Sequence, residues 1–386
     1  MLISHNWLKY YIDFDYTPQQ LTDNLTMLGI EVESYTDQKN IYEAFYVGEV
    51  LQKEKHPNAD KLSLCKVSLG NKELSIVCGA SNVQQGQKVI VGVVGATVPN
   101  SGFKLGKVNI RDCFSEGMIC SESELNLGDD HSGIMVLPDD APVGKNIIEY
   151  LGLDDIILDI SLTPNKPDCA SHLGVARELS TILKQKIKLS KPLLKQDKIH
   201  ISDYLSVEVI DNDLCPRYAA RVLLGIKNGE SPSCLKNALR NVGLRPRNII
   251  VDVTNYVLMG IGHPLHAFDY DKVAGKKIEV KKGFIQKFTT LDNKERQLDK
   301  DMLMICDAEK PIAIAGVMGG KNSEITDETT NVVIESAFFN PSSIRRTSKK
   351  LGLQTDASYR FERGTDVDIC VYAVNLAAEM IVDLAK

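Results

Sequence analysis

Leu62-Ser63-Leu64-Cys65-Lys66-Val67-Ser68-Leu69-Gly70-Asn71-Lys72-Glu73-Leu74-Ser75-Ile76-Val77-Cys78 reads as two short strands joined by a Gly-Asn turn. Apolar residues alternate with polar ones over much of both runs, the period of a strand with one buried face. The same period governs the flanks, in the apolar runs 46–51 and 89–94. Turn-forming stretches separate them: His56-Pro57-Asn58-Ala59-Asp60, Gly86 and Pro99-Asn100-Ser101-Gly102. Four such runs in about a hundred residues predict a small barrel or sandwich.

On either side the period is helical. Thr17-Pro18 makes an N-cap and first-turn pair. Leu21, Leu25 and Leu28 share one face, and Gly29 stops the helix. Downstream, a strand at 158–162 runs into the two-proline loop Thr163-Pro164-Asn165-Lys166-Pro167-Asp168. A helix follows from Ser171, with Leu173, Ala176, Leu179, Ile182 and Leu183 on one side. Residues 184–202, lysine-rich and containing Pro192, read as a linker. The remainder mixes strands (207–210, 221–224, 278–281, 302–306, 312–315, 332–335) with helices at 235–242 and 371–384, an α+β pattern.

The chain of 386 residues is long enough for two or three domains. At 43% hydrophobic and 25% charged, it has the composition of a globular protein. No apolar stretch is long enough to span a membrane, and the first residues lack the pattern of a signal peptide. Nine cysteines without a CxxC pair fit a reducing compartment, so a cytoplasmic protein is expected. A net charge of −6 argues against coating nucleic acid by bulk electrostatics, and no DNA or membrane partner is expected. Local basic clusters stand at Lys184, Lys186, Lys188, Lys191, Lys195 and Lys198, and at Arg345, Arg346, Lys349 and Lys350. A solvated surface accounts for both.

Three segments invite chemistry. Gly316-Val317-Met318-Gly319-Gly320-Lys321-Asn322 fails as a phosphate loop at Ala315 and Asn322. Its glycines still admit two readings, a tight turn or a backbone closely approached by a ligand. His263-Pro264-Leu265-His266-Ala267-Phe268-Asp269 does not carry a defined zinc spacing, so hydrogen-bonding histidines are the better reading and no metal is expected. Glu335 ends an apolar strand, either facing solvent or buried where it needs a specific donor. Gly-x-Ser-x-Gly is absent, so any hydrolysis is expected to orient water instead of passing through a covalent intermediate.

Long ordered strings then mark a resemblance over essentially the whole chain. They include Ile3-Ser4-His5-Asn6-Trp7-Leu8, Met27-Leu28-Gly29-Ile30-Glu31-Val32-Glu33, His56-Pro57-Asn58-Ala59-Asp60-Lys61-Leu62 and Ser115-Glu116-Gly117-Met118-Ile119-Cys120-Ser121. The second half adds Asp252-Val253-Thr254-Asn255-Tyr256-Val257, Pro264-Leu265-His266-Ala267-Phe268-Asp269, Ile334-Glu335-Ser336-Ala337-Phe338-Phe339 and Ser358-Tyr359-Arg360-Phe361-Glu362-Arg363-Gly364. On these residues the chain resembles the N-terminal part of bacterial phenylalanyl-tRNA synthetase beta subunits.

The resemblance implies a multidomain α+β fold: an OB-fold β-barrel at 41–151 inserted in a discontinuous N-terminal α/β domain (1–40 and 152–200), then an α+β B3/B4 editing domain at 203–386. It implies tRNA(Phe) as partner and hydrolysis of Tyr-tRNA(Phe), with Glu335 and the backbone at Gly316 receiving the tyrosine hydroxyl. Thr254, Asn255 and His266 would be the catalytic positions, placing water and the terminal ribose, with Thr355 and Ala357 shaping the pocket wall. Synthesis of phenylalanyl-tRNA, with ATP and Mg2+, would need the alpha subunit in a heterotetramer of two alpha and two beta chains. This chain itself would hold no cofactor. The family's chains continue further, so a fragment is expected here, without the magnesium ligands that lie further along. Lys166 replaces a more usual arginine, and Met259-Gly260 a more usual Leu-Glu pair. Residues 41–151 hold 10 Lys+Arg against 14 Asp+Glu, so RNA contact there must be local, at Lys104, Lys107 and Arg111. A non-catalytic tRNA-binding module and a free-standing trans-editing deacylase remain alternatives.

Overall fold

A computed structural model describes residues 1–128 and 130–385. The chain forms two compact units, Thr36–Ile157 and the combination of Met1–Tyr35 with Leu158–Lys386.

In Thr36–Ile157 the strands Phe45–Lys55, Ser63–Ser68, Glu73–Cys78 and Lys88–Val93 lie where the alternating pattern puts them. The sheet order is Val136–Leu137, Lys88–Val93, Phe45–Lys55, Ser63–Ser68, Glu73–Cys78, and Gly117–Ile119 also pairs with Lys88–Val93. A register shift between Val50 and Gln52 interrupts the long strand, the kind of irregularity that bends and twists a ladder. The far edges then approach each other. Glu116 N–H donates to the Ser75 carbonyl at 2.8 Å, and the Ser115 hydroxyl accepts from Val77 N–H at 3.1 Å. The curled sheet is nearly closed, an OB-like barrel around Val67, Ile76, Val89 and Val91.

In the other unit, Thr17 caps the Pro18–Met27 helix with a full capping box, and Ser171 caps His172–Leu183. No helix or strand interrupts the expected linker between Leu183 and Ile201. His172 is fully buried. It accepts from Ser4 N–H through Nε2 at 3.0 Å and bonds the Met259 carbonyl through Nδ1 at 2.8 Å. Its ring stacks on Trp7, whose other face stacks on Tyr256.

The site is built on a three-stranded antiparallel sheet with Val332–Phe338 between Arg217–Leu223 and Leu265–Asp269. Alternation along the central strand decides what each face meets. Val332 and Ile334 join the core shared with helices Ile249–Ile261 and Ile369–Leu384, and the Ser336 hydroxyl donates to the Cys370 carbonyl at 2.8 Å. Val333, Glu335 and Ala337 point the other way. Val333 and Ala337 join a second core, with Ile278, Ile305 and Ile314 from a five-stranded sheet ordered Ser206–Val209, Lys277–Lys281, Met304–Cys306, Pro311–Ile314, Met318–Gly319. A carboxylate on this face is thereby surrounded by apolar side chains. The helix Ile249–Ile261, capped by Asn248 and ended by Gly262 at φ +80°, was not expected from the sequence pattern.

Candidate editing pocket and nucleic-acid face

A cavity of about 60 Å³ opens onto the Glu335 face of the small sheet, lined by Pro264, His266, Gly316, Glu335, Ala357 and Phe361 among others. Wider grooves, about 570 Å³ beside Lys53 and Lys61 and about 740 Å³ beside Arg221 and Asn375, enclose no buried acid or imidazole. The strand register explains the convergence. Ala220, Glu335 and His266 are directly paired across the three strands, so their side chains share one face.

Glu335 is 7% exposed. Burial pushes its carboxyl up to about 7, and the Tyr218 hydroxyl, donating to Oε2 at 2.7 Å, works against that rise. His266 is pushed down to about 4 by burial, so its imidazole is neutral at pH 7. Its ring meets Phe268 edge-on at 4.5 Å.

Gly316 sits at φ +65° in the turn after Pro311–Ile314. A Cβ there would press on Ile344, Phe339 and Phe361 at 3.0–3.1 Å, so the backbone angle and the packing both call for glycine. Thr355 caps the Asp356–Phe361 helix and donates through Oγ1 to the Val317 carbonyl at 2.9 Å, tying that helix to the turn. Ala357, two residues on, lines the cavity.

Of the residues singled out from sequence, the cavity wall thus gathers His266, Gly316, Glu335 and Ala357, with Thr355 one bond behind it. Thr254 and Asn255 are not among its lining residues. They lie on the neighbouring helix Ile249–Ile261, where the Thr254 hydroxyl donates to the Val251 carbonyl at 2.8 Å. His263 is buried with its ring 6.2 Å from that of Phe361, and neither of its ring nitrogens has a hydrogen-bond partner among the described residues, so it is not the hydrogen-bonding histidine that its sequence suggested. Sequence reading missed Tyr218 and Phe361 as site residues, and flagged Gly319 only among the glycines of its turn. A Cβ on Gly319 would overlap the His266 ring, so the glycine makes room for the imidazole. No local motif marks Tyr218, because its partner is 117 positions away.

In the barrel, Lys107 pairs with Glu116 at 2.8 Å and lies 5.4 Å from the ring centroid of Phe114. Arg111, at φ +49°, donates to the Asn58 carbonyl at 3.3 Å. His56 bonds the Ile110 carbonyl at 3.0 Å and accepts from Asn58 N–H at 3.1 Å, pinning the hairpin Val108–Ile110/Cys113–Ser115 to the 56–60 loop. Lys104 is exposed next to Phe103, itself 60% exposed, and Phe114 is 55% exposed. These two aromatics were not singled out from the sequence. Cations beside exposed rings are the pairing that single-stranded nucleic acid uses.

Residues 214–386 match the B3/4 domain family and residues 45–146 the tRNA_bind family. A phenylalanine–tRNA ligase beta subunit of Geobacter metallireducens is 50% identical over 386 residues, covering 100% of this chain and 48% of the relative. Those of Salinibacter ruber and Geobacter sulfurreducens are 48% and 47% identical, each over 100% of this chain and 48% of the relative. The chain belongs to the phenylalanine–tRNA ligase beta-subunit family. It spans about half the length of the curated relatives it matches. Every residue lining the cavity falls within the B3/4 match, and the Lys104–Arg111 region falls within the tRNA_bind match. Among solved structures, an N-terminal fragment of the phenylalanyl-tRNA synthetase beta subunit from Pyrococcus horikoshii aligns at 17% identity, with a TM-score of 0.28, over 48% of this chain and 56% of that one. Among the described residues, no helix is long and apolar enough to cross a membrane.

Proposed function

We propose that the chain is the tRNA-binding and editing portion of a cytoplasmic phenylalanine–tRNA ligase, hydrolysing Tyr-tRNA(Phe) in the Glu335 cavity. In this reading residues 1–40 and 152–200 form the discontinuous domain, 41–151 the tRNA-binding domain and 203–386 the editing domain. ATP- and Mg2+-dependent phenylalanylation belongs to the heterotetramer with the alpha subunit.

The observation that carries the editing role is a single buried carboxylate in a cavity otherwise walled by apolar side chains, turn backbone and the neutral His266 imidazole. A pocket shaped for phenylalanine rejects an added hydroxyl poorly, whereas a site that hydrogen-bonds that hydroxyl rejects the ligand lacking it. Glu335 is such an acceptor, and the Gly316 turn brings backbone to the same cavity. Water attacks the ester carbonyl carbon, the carbon–oxygen bond to the ribose breaks, and the ribose oxygen takes a proton. His266 is the neutral imidazole able to hand that proton on; the placing of water and ribose by Thr254 and Asn255 is supported by the family resemblance alone, since neither lines the cavity. The reaction then rests on placement and electrostatics, since an aminoacyl ester is already activated.

The test is hydrolysis of Tyr-tRNA(Phe) and Phe-tRNA(Phe) by this chain. Faster loss of the tyrosyl ester is expected. If neither ester is cleaved above background, the chain is a non-catalytic tRNA-binding module. On the barrel, Lys107→Ala is expected to weaken tRNA binding and to lower the slope of log affinity against log salt by about 1. Phe114→Ala is expected to weaken binding with the slope unchanged, because stacking releases no counterion. Fluorescence titration at several salt concentrations measures both.

A further inference from the structure

We infer that Tyr218 is a specificity-determining positioning residue of the editing pocket: its hydroxyl fixes Glu335 through Oε2 and so presents Oε1 to the phenol of a tyrosyl ester. The inference rests on the editing reading above and adds a residue to it.

A carboxylate on one flexible stem rotates, and an acceptor that rotates discriminates weakly. Tyr218 stands two residues before Ala220 on the edge strand, and Ala220 is the residue directly paired with Glu335. Residues two apart on a strand share a face, so the phenol ring of Tyr218 lies diagonally beside the carboxylate. Its own direct partner is Ala337, too small to hold the ring away. The hydroxyl donates to Oε2 at 2.7 Å, whereas Oε1 makes no hydrogen bond among the described residues, and Glu335 lines the cavity. One oxygen is thus held by a donor of the same chemical type as the group to be recognised, and the other faces the space where that group arrives. An ionised carboxylate is acceptor-only and takes both hydroxyls at once, while phenylalanine would leave Oε1 without a donor.

The other titratable groups about Glu335 are Cys215 and His266. Burial drives the Cys215 thiol well above its ordinary range, and His266 stays neutral down to about pH 4, so neither changes charge between pH 5 and 8. Tyr218 is itself driven far above the usual phenol range and remains a donor throughout. Glu335 is therefore the group of this cluster that titrates near neutrality, and the Tyr218 bond favours its ionised form.

The test compares wild type, Tyr218→Phe and Glu335→Ala on the two esters from pH 5.5 to 8.5, with infrared titration of the buried carboxyl. Tyr218→Phe is expected to lower the tyrosyl-over-phenylalanyl ratio of kcat/KM about tenfold, to leave phenylalanyl hydrolysis within twofold, and to move the carboxyl midpoint to higher pH. A ratio within twofold of wild type with an unmoved midpoint overturns the inference and leaves the editing reading standing. A higher ratio or faster tyrosyl hydrolysis also overturns it, because Tyr218 would then be blocking the pocket. A wild-type chain with no tyrosyl preference overturns the editing reading and this inference with it. Tyr218→Trp, which keeps a ring without a hydroxyl at that point, is expected to fail like Tyr218→Phe. If Tyr218→Trp restores discrimination, the role is packing and the inference falls.

Discussion

Glu335→Ala is expected to erase the tyrosyl preference of deacylation, lowering kcat/KM for the tyrosyl ester by roughly two to three orders of magnitude. Phenylalanyl hydrolysis should change far less, because that substrate brings no hydroxyl to the carboxylate. Initial rates on the two esters decide it; equal losses on both would mean that Glu335 supports the fold of the pocket and does not select. Stability supplies a second signature. The folded carboxyl titrates at about 7, above its ordinary 4.5, so folding retains a proton that the unfolded chain has released across that interval. The buried carboxylate therefore costs stability progressively as pH rises from 4.5 to 7, on the order of 3 kcal/mol at the top of the range. Glu335→Gln removes that cost. Its melting temperature should exceed that of wild type at pH 8 and approach it near pH 4.5. A variant that gains stability while losing selectivity identifies a residue kept for function.

The largest loss of stability is expected from His172→Ala, about 3–5 kcal/mol at pH 7.5. The substitution leaves Ser4 N–H and the Met259 carbonyl without their buried partner and takes a ring from the Trp7–Tyr256 stack. Denaturant unfolding of the two proteins measures it. The deficit has a definite pH dependence. Burial, with a smaller push from Arg360, lowers His172 from 6.5 to about 3, so below pH 6.5 the unfolded chain binds a proton that the folded chain refuses. The stability that His172 supplies is whole above 6.5 and declines by up to about 1.4 kcal/mol for each pH unit below it. The gap between wild type and variant should therefore narrow from pH 7.5 to 5. A constant gap would mean that the imidazole is not held neutral in the folded protein.

What could be read from sequence followed the range of the forces involved. The barrel strands and the helices capped by Thr17 and Ser171 announce themselves through local alternation and local side-chain bonds. Ile249–Ile261 did not: Ile249, Ile250, Val251, Val253, Thr254 and Val257 are β-branched, and the helix is nearly all buried, so neither propensity nor amphipathic period marks it. The strand Arg217–Leu223 begins four residues before the apolar run that suggested it, because Arg217 and Tyr218 owe their places to pairing with Phe338 and Ala337. The site shows the same division. Glu335 and Gly316 were flagged locally but left open between two readings each, since only the register with His266 and the Phe361 contact fix their surroundings. Tyr218 carries no local signal at all.

The sheet ordered Leu2–Ser4, Ile156–Ser161, Glu31–Asp37 also sets a timetable for synthesis. Its middle strand is made last. When Leu2–Ser4 and Glu31–Asp37 leave the ribosome, the strand that must lie between them is more than a hundred codons away, and the α-amino group of Met1 has yet to meet the Ile160 carbonyl, 2.6 Å off in the finished protein. Thr36–Ile157 contains all the strands of its own barrel and can close while the rest of the chain waits. At translation speeds of about 5–20 residues per second, the opening segment spends several seconds without its pairing partner. Leu2–Ser4 and Glu31–Asp37 thus find their places only after a strand made more than a hundred residues later.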